Sequence, residues 1–241
     1  MRNDIAEVEA LINKQKGAEA LFYGLDIGRV QDYSTLSISV RYILPIGTTI
    51  NSLLSKYYCV YLKRYPLQTP YEVIEDDCAM WWKWADEINL TRHFVADMTG
   101  VGAPVVEGLK KRGVRCTGVV ITGGHQESNP AIGEYHVPKA TLATQLVRTA
   151  QMGRFQIYKS MQFAAEFKEE LGNFGYDQNK MTGAISYEAL DERIHDDLVI
   201  SVALPVWFGE RVMQHEIKIK GGTTATVEDR DYNPLYPENG N

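Results

Sequence analysis

Asp26 closes the apolar run LFYGLDIG over residues 21–28, where a charge is costly to bury unless something compensates it. Asp97 ends a second apolar run, residues 92–100, immediately before Met-Thr-Gly-Val-Gly. Asp196 and Asp197 open the last strongly apolar segment, LVISVAL. Open α/β sheets gather their ligands where strand ends meet helix starts. Three acidic sites converging there would repel one another, and a hard cation taking carboxylate oxygens would offset that repulsion. Each acid also has a purely structural reading. Asp26 can cap the turn into Gly28, Asp97 can enter a helix, and Asp196-Asp197 can be an N-cap and a first-turn acid favoured by the helix dipole. Asp32, before Tyr33-Ser34, fits a plain turn.

The elements that must carry these acids follow from periodicity. Ile5, Val8, Leu11 and Ile12 give residues 2–16 a helical spacing, read as a helix outside the main fold. Strands are expected over 21–28, 34–44 and 55–65, the last two β-branched and aromatic and joined through Pro45, Gly47 and Asn51. Thr69-Pro70 opens a helix to about residue 87, with Trp81 and Trp84 on its inner side and Trp82 on a different face. A strand over 92–100, a helix over 102–112 and a strand over 115–121 come next. The polar stretch 123–137 reads as a loop, holding His125 and His136 as surface histidines, and Pro138 as the first position of a helix to about 152. A strand RFQIYK, a helix over 160–171 and a hairpin over 172–190 precede the final helix from Asp196. Early hairpin-linked strands followed by strand–helix alternation point to a mixed α/β sheet covered by helices.

Composition sets bounds rather than a function. A chain of 241 residues supports one sizeable core. No stretch reaches the eighteen or so apolar residues of a membrane span, and the N-terminal segment, with acids in every turn, does not read as a signal peptide. Cys59, Cys78 and Cys116 lie far apart with no CxxC pair, which argues for reduced thiols and against a zinc knuckle or a disulfide framework. The net charge of −6 is unevenly spread. Residues 109–160 hold Lys110, Lys111, Arg112, Arg115, Lys139, Arg148, Arg154 and Lys159 against Glu127 and Glu134, a basic region compatible with contact to a phosphate backbone.

The stretches GLDIGRVQDYSTLSI (24–38), FVADMTGVGAPVVEGLKKRGV (94–114) and HDDLVISVAL (195–204) resemble, in order, the three nuclease motifs of tailed-phage terminase large subunits. YHVPKATL (135–142) resembles that family's connector before a helix, and the likeness spans about residues 22 to 208. It implies an α/β fold of RNase H-like type, a mixed central sheet flanked by helices. Residues 1–19 would be an N-terminal helix and linker, 20–215 the nuclease domain, and 216–241, rich in Gly, Thr, Asn, Pro and acid, a disordered tail. The resemblance makes Asp26, Asp97, Asp196 and Asp197 catalytic metal ligands, with Asp32 matching a further acid of the first motif. The chemistry implied is endonucleolytic hydrolysis of double-stranded DNA with Mg2+ or Mn2+, two ions serving water and leaving group respectively. Asp26 would bridge them, Asp97 complete one site and Asp196/Asp197 the other.

Further expectations follow from that likeness. Lys139, in the first turn of its helix, opposes the helix dipole, a cost that a nearby phosphate would reverse, unless the side chain simply points to solvent; Lys139, Arg148 and Lys180 are expected to contact DNA. His195 is expected to order an acid, touch the scissile phosphate or pack, and the 172–190 hairpin, with Tyr176 and Lys180, to reach DNA or serve as scaffold. Partners implied are the terminase ATPase domain, the small terminase subunit and the portal, in the cytoplasm of an infected bacterial host and without membrane. The chain departs from the family in having no GxxxxGK[ST] phosphate loop and few residues before its first strand, as for an excised domain or a stand-alone relative. Three rivals stand beside this reading. They are a Holliday-junction-type resolvase of the same fold, an actin- or sugar-kinase-like ATP-binding protein (LDIGRVQDYST resembles that phosphate loop), and a non-catalytic assembly module.

Overall fold

The computed structural model describes residues 2–14, 16–29, 31–45, 53–173, 177–178, 185–186 and 195–212. Lys180, Tyr176 and the segment 216–241 therefore lie outside the described residues.

Strand β1 (Ala18–Asp26) is apolar on both sides, as a central strand must be: Ala20 and Phe22 face one way, Leu21, Tyr23 and Leu25 the other, all fully buried. It pairs antiparallel with β2 (Thr35–Pro45), which pairs antiparallel with β3 (Leu53–Arg64). On its other side β1 runs parallel to β4 (Thr91–Asp97), reached through helix α2 (Tyr71–Glu87). Helix α3 (Gly102–Lys111) leads to β5 (Cys116–Thr122), parallel to β4. Strands β6 (Ser128–Ala131) and β7 (Glu134–Pro138) form a hairpin whose second strand joins β5 in parallel. Helix α4 (Lys139–Gln151) and β8 (Phe155–Ile157), parallel to β3, complete a sheet of order β6-β7-β5-β4-β1-β2-β3-β8. Helix α5 (Ala164–Asn173), the paired residues of β9 (Asp177–Gln178) and β10 (Ile185–Ser186), and helix α6 (Asp197–Arg211) follow.

Two apolar clusters cover the two sheet faces. The N-terminal helix α1 (Arg2–Asn13), α2 and α3 contribute to one; α4, α5 and α6 to the other. Helix α1, expected to stand apart, buries Val8 and Ile12 in the first cluster, and Glu9 accepts a 2.9 Å hydrogen bond from Trp84 Nε1. Trp81, Trp82 and Trp84 are all buried, Trp82 packing against Tyr23 and Phe94.

Three local expectations are corrected. The stretch 123–137 is not all loop: Ile132-Gly133, with Gly133 at φ 77°, turns β6 into β7, and Val137 is buried among α4 and α6 side chains. Pro138 is the last residue of β7 and the N-cap of α4, with ψ 137°, rather than the first helical position. Helix α5 likewise starts at Ala164, after Phe163 at φ 62°.

Helix α6 is buried from Asp197 to Glu210, and the sheet beneath it is shaped to admit it. Any Cβ on Gly24 would overlap the Ser201 carbonyl oxygen and the Pro205 ring. Pro205 brings no N–H, so the Ser201 carbonyl lacks its usual donor four residues on. Ser37 Oγ on β2 supplies one at 2.8 Å. The seat of α6 on β1 and β2 fixes where its first residues emerge.

Candidate active site

Cross-strand register sets one row of polar side chains at the sheet edge. Asp26 pairs with Thr35 and Thr35 with Arg64, and Asp26 and Asp97 both stand one residue beyond the paired Leu25 and Ala96. Adjacent strands lie about 4.8 Å apart, and residues in register share a face. The shared face is the one α6 covers, since Phe22 and Val95 belong to its cluster. Asp97, Asp26, Thr35 and Arg64 thus point from four strands toward the start of α6.

The turn after Asp97 fixes that carboxylate. Thr99 donates to Asp97 Oδ1 from its backbone N at 2.8 Å and its hydroxyl at 2.5 Å, while Ile121 N donates to the Thr99 hydroxyl at 2.8 Å. Gly100 takes φ 60°, and a Cβ on Gly102 would overlap the Asp97 carbonyl, which explains the Thr-Gly-Val-Gly sequence. Asp97 Oδ2 is left without a hydrogen bond among the described residues. Asp26 is half-buried and its carboxylate accepts no hydrogen bond from any described residue. Burial raises its pKa well above the ordinary carboxylate range, and the charges of Asp97, Asp197 and Asp196 push it further, with Lys139 opposing. Burial also raises Asp97, against the lowering pull of the Thr99 bonds and Lys139.

The two acids of α6 have different surroundings. Asp196 is the N-cap, makes no cap hydrogen bond and forms an ion pair with Lys139 at the start of α4. Asp197 is buried and fully engaged. Its Oδ2 accepts from Thr35 Oγ1 at 2.6 Å and Arg64 Nε at 2.8 Å, and its Oδ1 from Arg64 Nη2 at 3.1 Å. Arg64 also pairs with Glu170 of α5. Glu170 Oε2 in turn accepts from the backbone N–H groups of Leu198 at 3.0 Å and Val199 at 3.2 Å, capping α6 from outside. Burial and the Asp197 charge lift Glu170 to about 7, with Arg64 pulling it down.

These groups line an open cleft of about 460 Å3 that includes Asp26, Asp97, Asp196, Asp197, Asp32, Lys139 and His195. Asp32 and His195 are exposed, and the His195 ring stands edge-on to Tyr33 at 5.4 Å. Arg29 is exposed at the same cleft, beside the Gly100 turn. Arg148 is not brought there. It is exposed in the last turn of α4, nine residues from Lys139, about 14 Å of helix rise away. The residues sequence reasoning missed are Thr35, Arg64 and Glu170. Only strand register reveals Thr35 and Arg64, and nothing in the local sequence marks Glu170.

The donor set is of hard carboxylate oxygens, the kind that suits Mg2+ or Mn2+. Among the described residues, however, no three His, Cys, Asp or Glu side chains are gathered closely enough to hold an ion. Asp196 and Asp197 are drawn to Lys139 and Arg64 instead.

No protein-family model matches the chain, and no curated protein sequence matches it. Among solved structures, the large-terminase nuclease domain of bacteriophage SPP1, with bound Mn, aligns at TM-score 0.50 and 14% identity, covering 86% of this chain and 91% of that one. The terminase nuclease domain of human cytomegalovirus, Mn soaked, gives 0.48 at 8% identity over 80% of this chain and 85% of that one. RuvC of Thermus thermophilus gives 0.34 at 12% identity over 80% and 97%. The fold assignment rests on the first: the chain has the RNase H-like α/β fold seen in a terminase nuclease domain.

Proposed function

We propose that this chain is a divalent-metal-dependent nuclease that cuts double-stranded DNA, the cutting module of a tailed-phage packaging terminase. The observation that carries the reading is the convergence of Asp26, Asp97, Asp196 and Asp197 on one cleft at the sheet edge, with Asp26 left unpartnered among the described residues. Four acids that only a fold-specific register brings together, three of them pushing the pKa of Asp26 up, are poor structural economy unless a cation joins them. The motif order and the fold shared with the SPP1 nuclease domain, which binds Mn, support the same reading.

Asp26, Asp97 and Asp196 are the residues that would hold the ions, with Asp197 supporting from behind because both its oxygens are already bonded. Bound Mg2+ or Mn2+ supplies charge that activates water and steadies the leaving 3′-oxygen. The chain's own part is to hold carboxylates in place. Thr99 fixes Asp97 through Oδ1 and leaves Oδ2 without a hydrogen bond among the described residues, and the desolvated setting of Asp26 makes its ionised form depend on a nearby positive charge. Lys139 provides such a charge now through its pair with Asp196, and loading the site requires that pair to open. Released, the Lys139 ammonium is placed to meet a phosphate oxygen. The terminase ATPase domain, small subunit and portal, in the infected host's cytoplasm, are the partners and setting that go with this role.

The test is plasmid cleavage by the wild type and Asp26→Asn in Mn2+, Mg2+, Ca2+ or EDTA. Cleavage by the wild type in Mn2+ or Mg2+ alone, lost in Asp26→Asn, is the expected outcome; an equally active Asp26→Asn protein removes the assignment.

A further inference from the structure

Arg64 ties together several elements beside the cleft. It ends β3, forks onto both oxygens of Asp197 at 2.8 and 3.1 Å, and pairs with Glu170 of α5. Its guanidinium also lies 5.0 Å from the Tyr33 ring in the loop after β1 and 5.8 Å from the Phe163 ring before α5. Glu170 carries the link onward by accepting from Leu198 N and Val199 N, the free donors at the start of α6. The N-cap residue itself, Asp196, makes no cap bond. What orients the first turn of α6 is therefore a network from β3 and α5, built on residues that flank the four acids without being among them.

We propose that Arg64 and Glu170 are positioning residues of this site: by tying Asp197 and the α6 backbone to the sheet, they leave Asp196 as the acid of the pair presented to the cleft. This rests on the reading of the cleft as a divalent-metal site. A planar fork suits the task, because two parallel N–H bonds fix the direction of a carboxylate as well as its distance. Arg64 shares a single positive charge between two buried carboxylates, so it neutralises neither fully and serves geometry more than charge balance. Partners that orient metal ligands from behind typically matter by roughly 10- to 100-fold in metal affinity or activity.

The experiment uses the full chain with Arg64→Gln, Arg64→Lys and Glu170→Gln. Two midpoints are read in Mn2+ titrations: that of the rise in Tm, and that of plasmid cleavage. Arg64→Gln is expected to need roughly 10- to 100-fold more Mn2+ for both. Arg64→Lys should recover part of the loss, since an ammonium keeps the charge but not the fork. Glu170→Gln should shift least, because an amide oxygen still accepts from Leu198 and Val199. A merely structural pair would lower the starting Tm and leave both midpoints where they are. Wild-type midpoints in folded Arg64→Gln overturn the proposal while sparing the metal site. Should Arg64→Gln not fold, wild-type midpoints in Arg64→Lys and Glu170→Gln overturn it equally. A wild type whose Tm ignores Mn2+ and which cuts no DNA overturns both readings together.

Discussion

The two ends of helix α6 treat buried charge in opposite ways. At the C-terminal end, Glu210 receives Arg154 as a matched fork, Nη1 to Oε1 at 2.8 Å and Nη2 to Oε2 at 2.7 Å, and Arg154 Nη1 also donates to the Ser55 carbonyl at 3.1 Å. An acid there opposes the helix dipole, so a paired cation is what makes it tolerable. At the N-terminal end, Asp26, Asp97, Asp196 and Asp197 share the cleft with Lys139, and Arg64 divides its charge between Asp197 and Glu170. One end spends its charges on holding the chain together. The other keeps charge in reserve, held apart by the fold, and the proposed metal site rests on that reserve.

The largest effect that sharpens this contrast is Asp26→Asn. Cleavage should fall to background, yet the metal-free protein should be no less stable. Removing a half-buried, desolvated acid crowded by three like charges relieves repulsion, and a gain of about 1 kcal/mol would raise Tm by roughly 2–4 °C in a domain of this size. The rise in Tm that Mn2+ gives the wild type should disappear. Thermal melts in EDTA and in Mn2+ check both parts, and a clear loss of stability in EDTA would make Asp26 structural. The opposite end should behave in reverse. Arg154→Gln leaves Glu210 buried without its fork, at a cost of about 3–5 kcal/mol. Its Tm should drop sharply while the Mn2+ midpoint and the cleavage per folded molecule stay at wild-type values. A shifted midpoint would show that the two ends of α6 are coupled and end the contrast.

The acids of the cleft were legible because each interrupts an apolar run at its edge, where a charge has no packing reason to be. Strand β1 and helix α6 were legible for the same cause, being apolar on every side that folding covers. What could not be read was anything depending on register. Thr35 and Arg64 join the site only because β1, β2 and β3 align them with Asp26, and a slip of one residue would turn them to the other face. The β6–β7 hairpin escaped because its residues are mostly exposed or half-buried, leaving little apolar alternation besides Tyr135 and Val137. The basic stretch 109–160 is also split by the fold. Arg112 pairs with Glu75 and Asp76 on α2, on the first face, while Lys139 and Arg154 pair with Asp196 and Glu210 on the second. Its charge is divided between the two faces and in part engaged in ion pairs, and linear density of Lys and Arg could not show that.

The smallest effect expected is a pH dependence, and its sign separates the two ends of α6 again. Glu170 is raised from 4.5 to about 7, chiefly by burial. The folded metal-free protein therefore holds this proton more tightly than the unfolded chain does. The stability it contributes is complete below about pH 4.5 and is lost as pH rises through about 7. His93 works against this in a wild-type profile. Burial lowers it to about 4, so stability falls as pH drops from 6.5 toward that value. The informative quantity is thus the difference in Tm between wild type and Glu170→Gln in EDTA, from which His93 cancels. Near pH 4 Glu170 is mostly protonated in both the folded and the unfolded chain and resembles Gln, so the two proteins should melt together. By pH 8 the wild type should melt lower, by an amount on the order of 1 kcal/mol or roughly 2–4 °C. A wild type that instead gains on Glu170→Gln as pH rises would mean that Arg64 compensates Glu170 as fully as Arg154 compensates Glu210, and the cleft end would hold no reserve of charge.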